Sequence, residues 1–158
     1  GFKNLTFRGN LIEYCTTAYE YFLNQNETKD GRFENILVEN NVCRFNGYGW
    51  GAKARVTTSM ASYGIGGLTG HNNAVNYVIR NNIIDQSEGA MIDCRANYKE
   101  SLPKMSGNTY IQKRGNYFGY WVEKTTMPSP KPIGFDDNLV SYLKTQNIES
   151  DAKIIFID

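Results

Sequence analysis

The 158-residue sequence predicts an all-β solenoid of about four rungs, followed near the C-terminus by a short helix and a strand. Three observations carry that prediction. One phrase recurs around Asn10, Asn41, Asn82 and Asn108. Within each copy apolar and polar residues alternate, the period of a half-buried strand. Gly, at 15 residues, and an abundance of Asn favour turns over long helices. A strand of this sort buries no face alone, whereas stacked copies share one continuous apolar interior.

The copies align by columns. Their anchors are 31, 41 and 26 residues apart, so the period is irregular while the phrase is constant. Three residues before each anchor stand Phe7, Val38, Ile79 and Met105; two after it stand Ile12, Cys43, Ile84 and Tyr110. Six before are Asn4, Asn35 and Asn76, a column that Leu102 breaks, and five before are Leu5, Ile36 and Tyr77, broken by Pro103. The fourth copy has the decay of a terminal repeat. Charge alternates down two further columns, Arg8–Glu39–Arg80 and Glu13–Arg44–Asp85. If copies stack as neighbouring strands, each such charge meets its opposite on the next rung, worth about 0.2–1 kcal/mol per pair.

After each anchor the chain turns into a second apolar stretch, AYEYF, GYGWGA, GAMIDC and NYFGYW, expected to form another sheet. Segments 23–32, 54–74 and 96–103 read as variable loops, the side of a solenoid that commonly builds its binding face. The longest contains ARVTTSMASYGIGGLTGHNN and lacks the Lys-Ser or Lys-Thr of a phosphate cradle. Residues 1–126 thus read as rungs and 127–158 as a cap: the Pro-rich MPSPKP, a short helix with Leu139, Tyr142 and Leu143 on one face, and the strand AKIIFID. The cap would cover a sheet edge at one end. The other end has no such cover, so upstream β-helix rungs of a larger chain are the expected neighbours.

Composition excludes some classes. Seventeen basic and 16 acidic residues leave a net charge of +1, with no electrostatic case for nucleic acid or an anionic membrane surface. No apolar run approaches the ~18 residues that span a bilayer. Cys15, Cys43 and Cys94 lack zinc or redox spacing, and read as buried, reduced, small hydrophobes. Eleven Tyr and 8 Phe suit strands and surfaces that touch flat ligands or sugars.

Over residues 2 to 122 the phrase N-[IL]-x-[FVI]-x-x-N-x-[IC] resembles the rung of the right-handed parallel β-helix, the pectate-lyase-like family. The resemblance implies an inward Asn in the short turn between two strands, stacked on the Asn of the next rung. Asn suits that place because it satisfies backbone groups in a bend, tolerates left-handed backbone and forms ladders. The resemblance further implies an extracellular, cell-surface or periplasmic bacterial protein. It also implies a polysaccharide or glycan along the sheet that follows the turn, handled by acids in glycosidases, or by Ca²⁺-binding acids with Arg or Lys bases in lyases.

On that sheet Asp93, between Ile92 and Cys94, reads as an outward acid, with Arg95 on the same phase. Glu20 takes a similar place if one residue is inserted. Two rungs of about 4.8 Å would set the two acids roughly 9–10 Å apart, near the upper end for an inverting pair in which one acid protonates the leaving group and the other activates water. The bland reading of each is a solvated face residue, paired with Lys53 or Arg55 of the middle rung. His71, the sole histidine, has the pKa range for acid–base work, and equally the look of a surface loop residue. Tyr48, Trp50, Tyr120 and Trp121 offer a stacking platform for sugar rings, or core. No cofactor is expected and no residues have metal-ligand spacing, although the scattered ligands of a lyase-type Ca²⁺ site stay open. Two functions follow: a carbohydrate-processing β-helix, hydrolase or lyase, or a non-catalytic glycan-binding, adhesin or structural module.

Overall fold

The computed structural model describes residues 3–19, 33–47, 65–67, 74–95, 102–122 and 132–158. In chain order these form β1 (Lys3–Arg8), β2 (Leu11–Glu13), β3 (Phe33–Glu39), β4 (Val42–Asn46), β5 (Ile65–Gly67), β6 (Ala74–Arg80) and β7 (Ile83–Ser87). There follow β8 (Ile92–Arg95), β9 (Lys104–Ser106), β10 (Thr109–Lys113), β11 (Tyr117–Val122), β12 (Ile133–Gly134), α1 (Leu139–Thr145) and β13 (Lys153–Ile157).

The strands stack in sequence order into three sheets: β1-β3-β6-β9, then β2-β4-β7-β10-β13, then β5-β8-β11-β12. All pairings are parallel except β11 with β12. The fold is therefore a β-solenoid. Its registers reproduce the sequence columns: Phe7, Val38, Ile79 and Met105 lie opposite one another in the first sheet, and Ile12, Cys43, Ile84 and Tyr110 in the second. These columns supply the core. Val38, Ile79, Ile84 and Tyr110 are inaccessible to solvent, and the Tyr110 ring meets Phe118 of the third sheet edge to face at 4.9 Å.

The first charge column becomes contacts throughout and the second only in part, since, among the described residues, Arg44 and Asp85 lie in register without an ion pair. Arg8 and Arg80 clasp Glu39 from both sides, at 2.5 and 2.6 Å, and Arg44 pairs with Glu13. Lys3 adds a pair with Glu34 at 3.0 Å. The hydrogen bond from Arg80, with the positive charge of Arg8, holds the Glu39 carboxyl below its ordinary value.

At the first corner of each rung two duties expected of one asparagine fall to neighbours. The left-handed backbone belongs to the residue before the anchor: Gly9, Asn40, Asn81 and Gly107, with φ of 67°, 55°, 54° and 62°. These are residue types that tolerate this conformation at little cost. The anchor itself supplies the ladder. Asn41 Oδ1 accepts from the backbone N–H and side-chain amide of Asn10 at 3.0 and 2.9 Å. Asn82 does the same for Asn41, and Asn108 for Asn82. The remaining amide hydrogens of Asn41, Asn82 and Asn108 go to the carbonyls of Phe7, Val38 and Ile79. The anchor N–H groups and the carbonyls of Phe7, Val38 and Ile79 are thus satisfied by side chains of the stack.

The fourth copy is not the end of the stack. β13 continues the second sheet in register with β10, from Thr109 opposite Lys153 to Lys113 opposite Ile157. Opposite the anchor position stands Ala152, which has no amide, and the ladder ends instead on Glu149. Its Oε1 accepts from the Asn108 backbone N–H and side-chain amide at 2.8 and 3.0 Å, and its Oε2 from the Tyr110 hydroxyl at 2.7 Å. A carboxylate only accepts, so it terminates a chain of donors that an amide would prolong. Leu139 and Leu143 of α1 are buried as expected, while Tyr142 of the same expected face is exposed.

Candidate functional site

The sheet expected to carry chemistry is the third. Its parallel strands are β5, β8 and β11, with Gly66, Asp93 and Tyr120 in one row. β5 lies inside the segment read from sequence as the loop 54–74, which corrects that reading: Ile-Gly-Gly is poor in the β-branched and aromatic residues that announce a strand. Residues 48–52 of GYGWGA lie outside the described residues, and β5 is the strand that pairs with β8 on this side.

Asp93 was expected to face solvent. It is instead 0% exposed, as are Met91 and Ile92, with Cys94 at 1%. β8 is an inner strand of this sheet, between β5 and β11, and its residues Ile92, Asp93 and Cys94 are buried whichever face they point to. A strand so buried does not show the half-buried alternation on which the outward phase was argued. Burial, with the negative charge of Asp93 beside it, pushes the Cys94 thiol well above its ordinary value, so it is no thiolate nucleophile. Arg95 ends β8 opposite Val122, its side chain outside the described residues. Glu20, Tyr48, Trp50, Lys53, Arg55 and His71 also lie outside them, and with Glu20 the expected carboxylate spacing.

Of the cysteines, Cys43 and Cys94 are buried, and burial raises the Cys43 thiol to about 12. Cys15 departs from expectation. It is exposed because it sits at the corner after β2, the edge strand of its sheet.

The side chains that the structure does gather lie at another corner. Where the first and third sheets approach the segment after α1, an open cleft of about 530 Å³ is lined by Asn76, Leu102, Lys104, Met105, Trp121 and Glu149 among others. β6 and β9 supply Asn76, Lys104 and Met105; the end of β11 supplies Trp121; the turn that follows α1 supplies Glu149. Trp121 is partly buried, packs against the core and contributes to the cleft wall. Lys104 is exposed, whereas Glu149 is 3% exposed and its carboxyl is held by three donors. Burial raises its pKa above the ordinary carboxylate value, against the opposing effect of those hydrogen bonds.

Sequence reading named Trp121 as platform or core and missed Asn76, Lys104 and Glu149 as neighbours of it. Asn76 was legible only as a column member, and Glu149 lay in the segment read as cap. Such a cleft can hold a flat polar ligand: one aromatic face, one cation, several amides and a small apolar wall. Among the described residues no group of three or more His, Cys, Asp or Glu side chains could hold a metal ion. Nor is any described helix long and apolar enough to cross a membrane. Compared with protein-family models, with curated proteins and with solved structures, the chain matches none.

Proposed function

We propose that this chain is part of a saccharide-engaging β-helix of the pectate-lyase-like kind, and that its described portion binds rather than cuts. The observation that carries this reading is the cleft whose lining combines Trp121, Lys104 and Asn76. Saccharide sites are built from that mixture, because a sugar offers an apolar ring face and a rim of hydroxyls. The repeated phrase and the asparagine ladder support the family likeness. Fold likeness by itself is an analogy for function, so the weight rests on the cleft.

Binding is favoured over catalysis by the state of the acids. Asp93 is wholly buried, and the Glu149 carboxyl is occupied by Asn108 and Tyr110. Neither is poised to protonate a leaving group or activate water. The polysaccharide hydrolase or lyase reading keeps one support, a carboxylate at Asp93 midway in the third sheet with Arg95 two residues on.

The test is a panel of neutral, amino and acidic polysaccharides, scored both for retention of the chain and for new reducing ends or unsaturated products. Retention without products is the expected result. Products that disappear in Asp93→Asn would replace binding with catalysis. A chain that neither binds nor cuts any member would remove the saccharide reading altogether.

A further inference from the structure

A second ladder runs outside the first. Asn35 Nδ2 donates to Asn4 Oδ1 at 2.8 Å, and Asn76 Nδ2 donates to Asn35 Oδ1 at 3.0 Å. These contacts orient the amides: each nitrogen faces the preceding rung and each oxygen the following one. All three residues hold left-handed backbone, with φ of 59°, 57° and 55°. Their side chains are therefore aimed by backbone and neighbours together, at little further entropic cost to a ligand.

The column breaks at the fourth rung. Leu102 stands where the next asparagine would be and Pro103 follows it, and neither side chain has a donor. Asn76 Oδ1 is thus the last acceptor of an ordered series, on an exposed residue that lines the cleft. The nearby wall contains Leu102 and Met105, both apolar, and Trp121.

We infer that the cleft is a subsite for a 2-acetamido sugar, whose acetamido N–H donates to Asn76 Oδ1 as no side chain of the fourth rung does. The group matches in three respects. Its N–H is the same kind of donor as the side-chain amide each rung presents to the one before. Its methyl is an apolar unit suited to the Leu102–Met105 wall. The pyranose carrying it has a face for Trp121. A cleft of about 530 Å³ falls in the ordinary range for small-ligand sites. This inference rests on the saccharide reading above and sharpens it to one substituent.

The test is calorimetric titration of the chain with N,N′-diacetylchitobiose, with cellobiose, which has a hydroxyl at the same position, and with digalacturonate, which would favour Lys104. Asn76→Gly is the diagnostic variant, because Gly keeps the left-handed backbone and removes the acceptor. Asn4→Gly, at the far end of the same ladder, is the control. The acetamido disaccharide is expected to bind roughly five- to tenfold tighter than cellobiose, whose freely rotating hydroxyl is a less well aimed donor to Asn76 Oδ1 than a planar amide N–H. That preference should vanish in Asn76→Gly and persist in Asn4→Gly. Equal binding of the two neutral disaccharides, a preference that survives Asn76→Gly, or a preference for digalacturonate would each overturn the acetamido assignment and leave the saccharide reading standing. Absence of binding by all three would overturn both.

Discussion

Replacing Asn82 by leucine removes an interior rung of the buried ladder while nearly keeping its volume. Asn82 is 0% exposed. Its Oδ1 accepts from Asn41 N and Nδ2 at 3.0 and 2.9 Å, and its Nδ2 donates to the Val38 carbonyl and to Asn108 Oδ1, both at 3.0 Å. Four side-chain hydrogen bonds go at once. At about 1 kcal/mol net for each, the loss is about 4 kcal/mol, and the Asn41 N–H left buried without its acceptor adds to it. Against total stabilities of about 5–15 kcal/mol this is a large fraction. Asn10→Leu is the matched control. Asn10 begins the ladder, is only partly buried and donates to Asn41 Oδ1 and to Arg8 O without passing the chain on. Of these two bonds the one to Arg8 O is exposed and worth little, so about 1 kcal/mol is expected there. Urea unfolding reads both, as shifts in midpoint at constant slope. Thermal midpoints should fall by about 8–16 °C for the interior variant and by less than about 4 °C for the terminal one. Equal losses would refute the reasoning, because they would mean that an asparagine is worth the same whether or not its neighbours depend on it.

Three further outcomes follow from the geometry. Gly119 has φ of +147°, and a Cβ there would lie 1.7 Å from the Ile92 carbonyl oxygen; Gly119→Ala should cost on the order of 3 kcal/mol in the same urea assay, and a neutral result would mean that β8 and β11 can part freely. Glu149, whose pKa is raised in the fold, binds its proton more tightly folded than unfolded. Stability should therefore decline as pH rises from the ordinary value of 4.5 through the raised one. Glu149→Gln, which can still accept from Asn108 while its amide donates to a turned Tyr110 hydroxyl, should abolish that decline; an unchanged slope of midpoint against pH would refute it. Glu39 acts with the opposite sign, since its pKa is lowered. Its contribution is complete above 4.5 and is lost as pH falls through the folded value, so Glu39→Gln should flatten the acid limb of the same curve and leave it steep only if the Arg8 and Arg80 contacts carry no weight.

The strand registers were legible because each is written several times. Arg8, Glu39 and Arg80 form a column in sequence and a clasp in space; Phe7, Val38, Ile79 and Met105 form a column and a wall of the core. Repetition turns a weak local pattern into a strong one, since every rung must satisfy the same bend. Features that occur once had no such support. Glu149 reaches the ladder from three residues before Ala152, the position in register with the anchors, so no alignment of phrases could find it. β5 escaped because Ile-Gly-Gly is a strand by virtue of its neighbours, pairing with β8 where its own residues favour a turn. Asp93 was misread for a related reason. Alternation distinguishes two faces only when one of them meets water, and β8 has no such face over Met91–Cys94.

The two ladders show where a repeating fold must stop repeating, and why that is where a site can form. A ladder of amides has direction, with a donor at one end of each link and an acceptor at the other. Wherever it ends, something outside the repeat must answer the last group. The buried ladder is answered from within by Glu149, a pure acceptor brought in by the segment after α1. The outer ladder is answered by no side chain of the fourth rung, because Leu102 and Pro103 interrupt it after Asn76, an exposed residue. Both endings line the same cleft. The buried end had to be closed, since an unmet donor there would cost stability. The exposed end could stay open, because water meets an unfilled acceptor at no such cost, and so the acceptor remains available to a ligand that brings its own N–H.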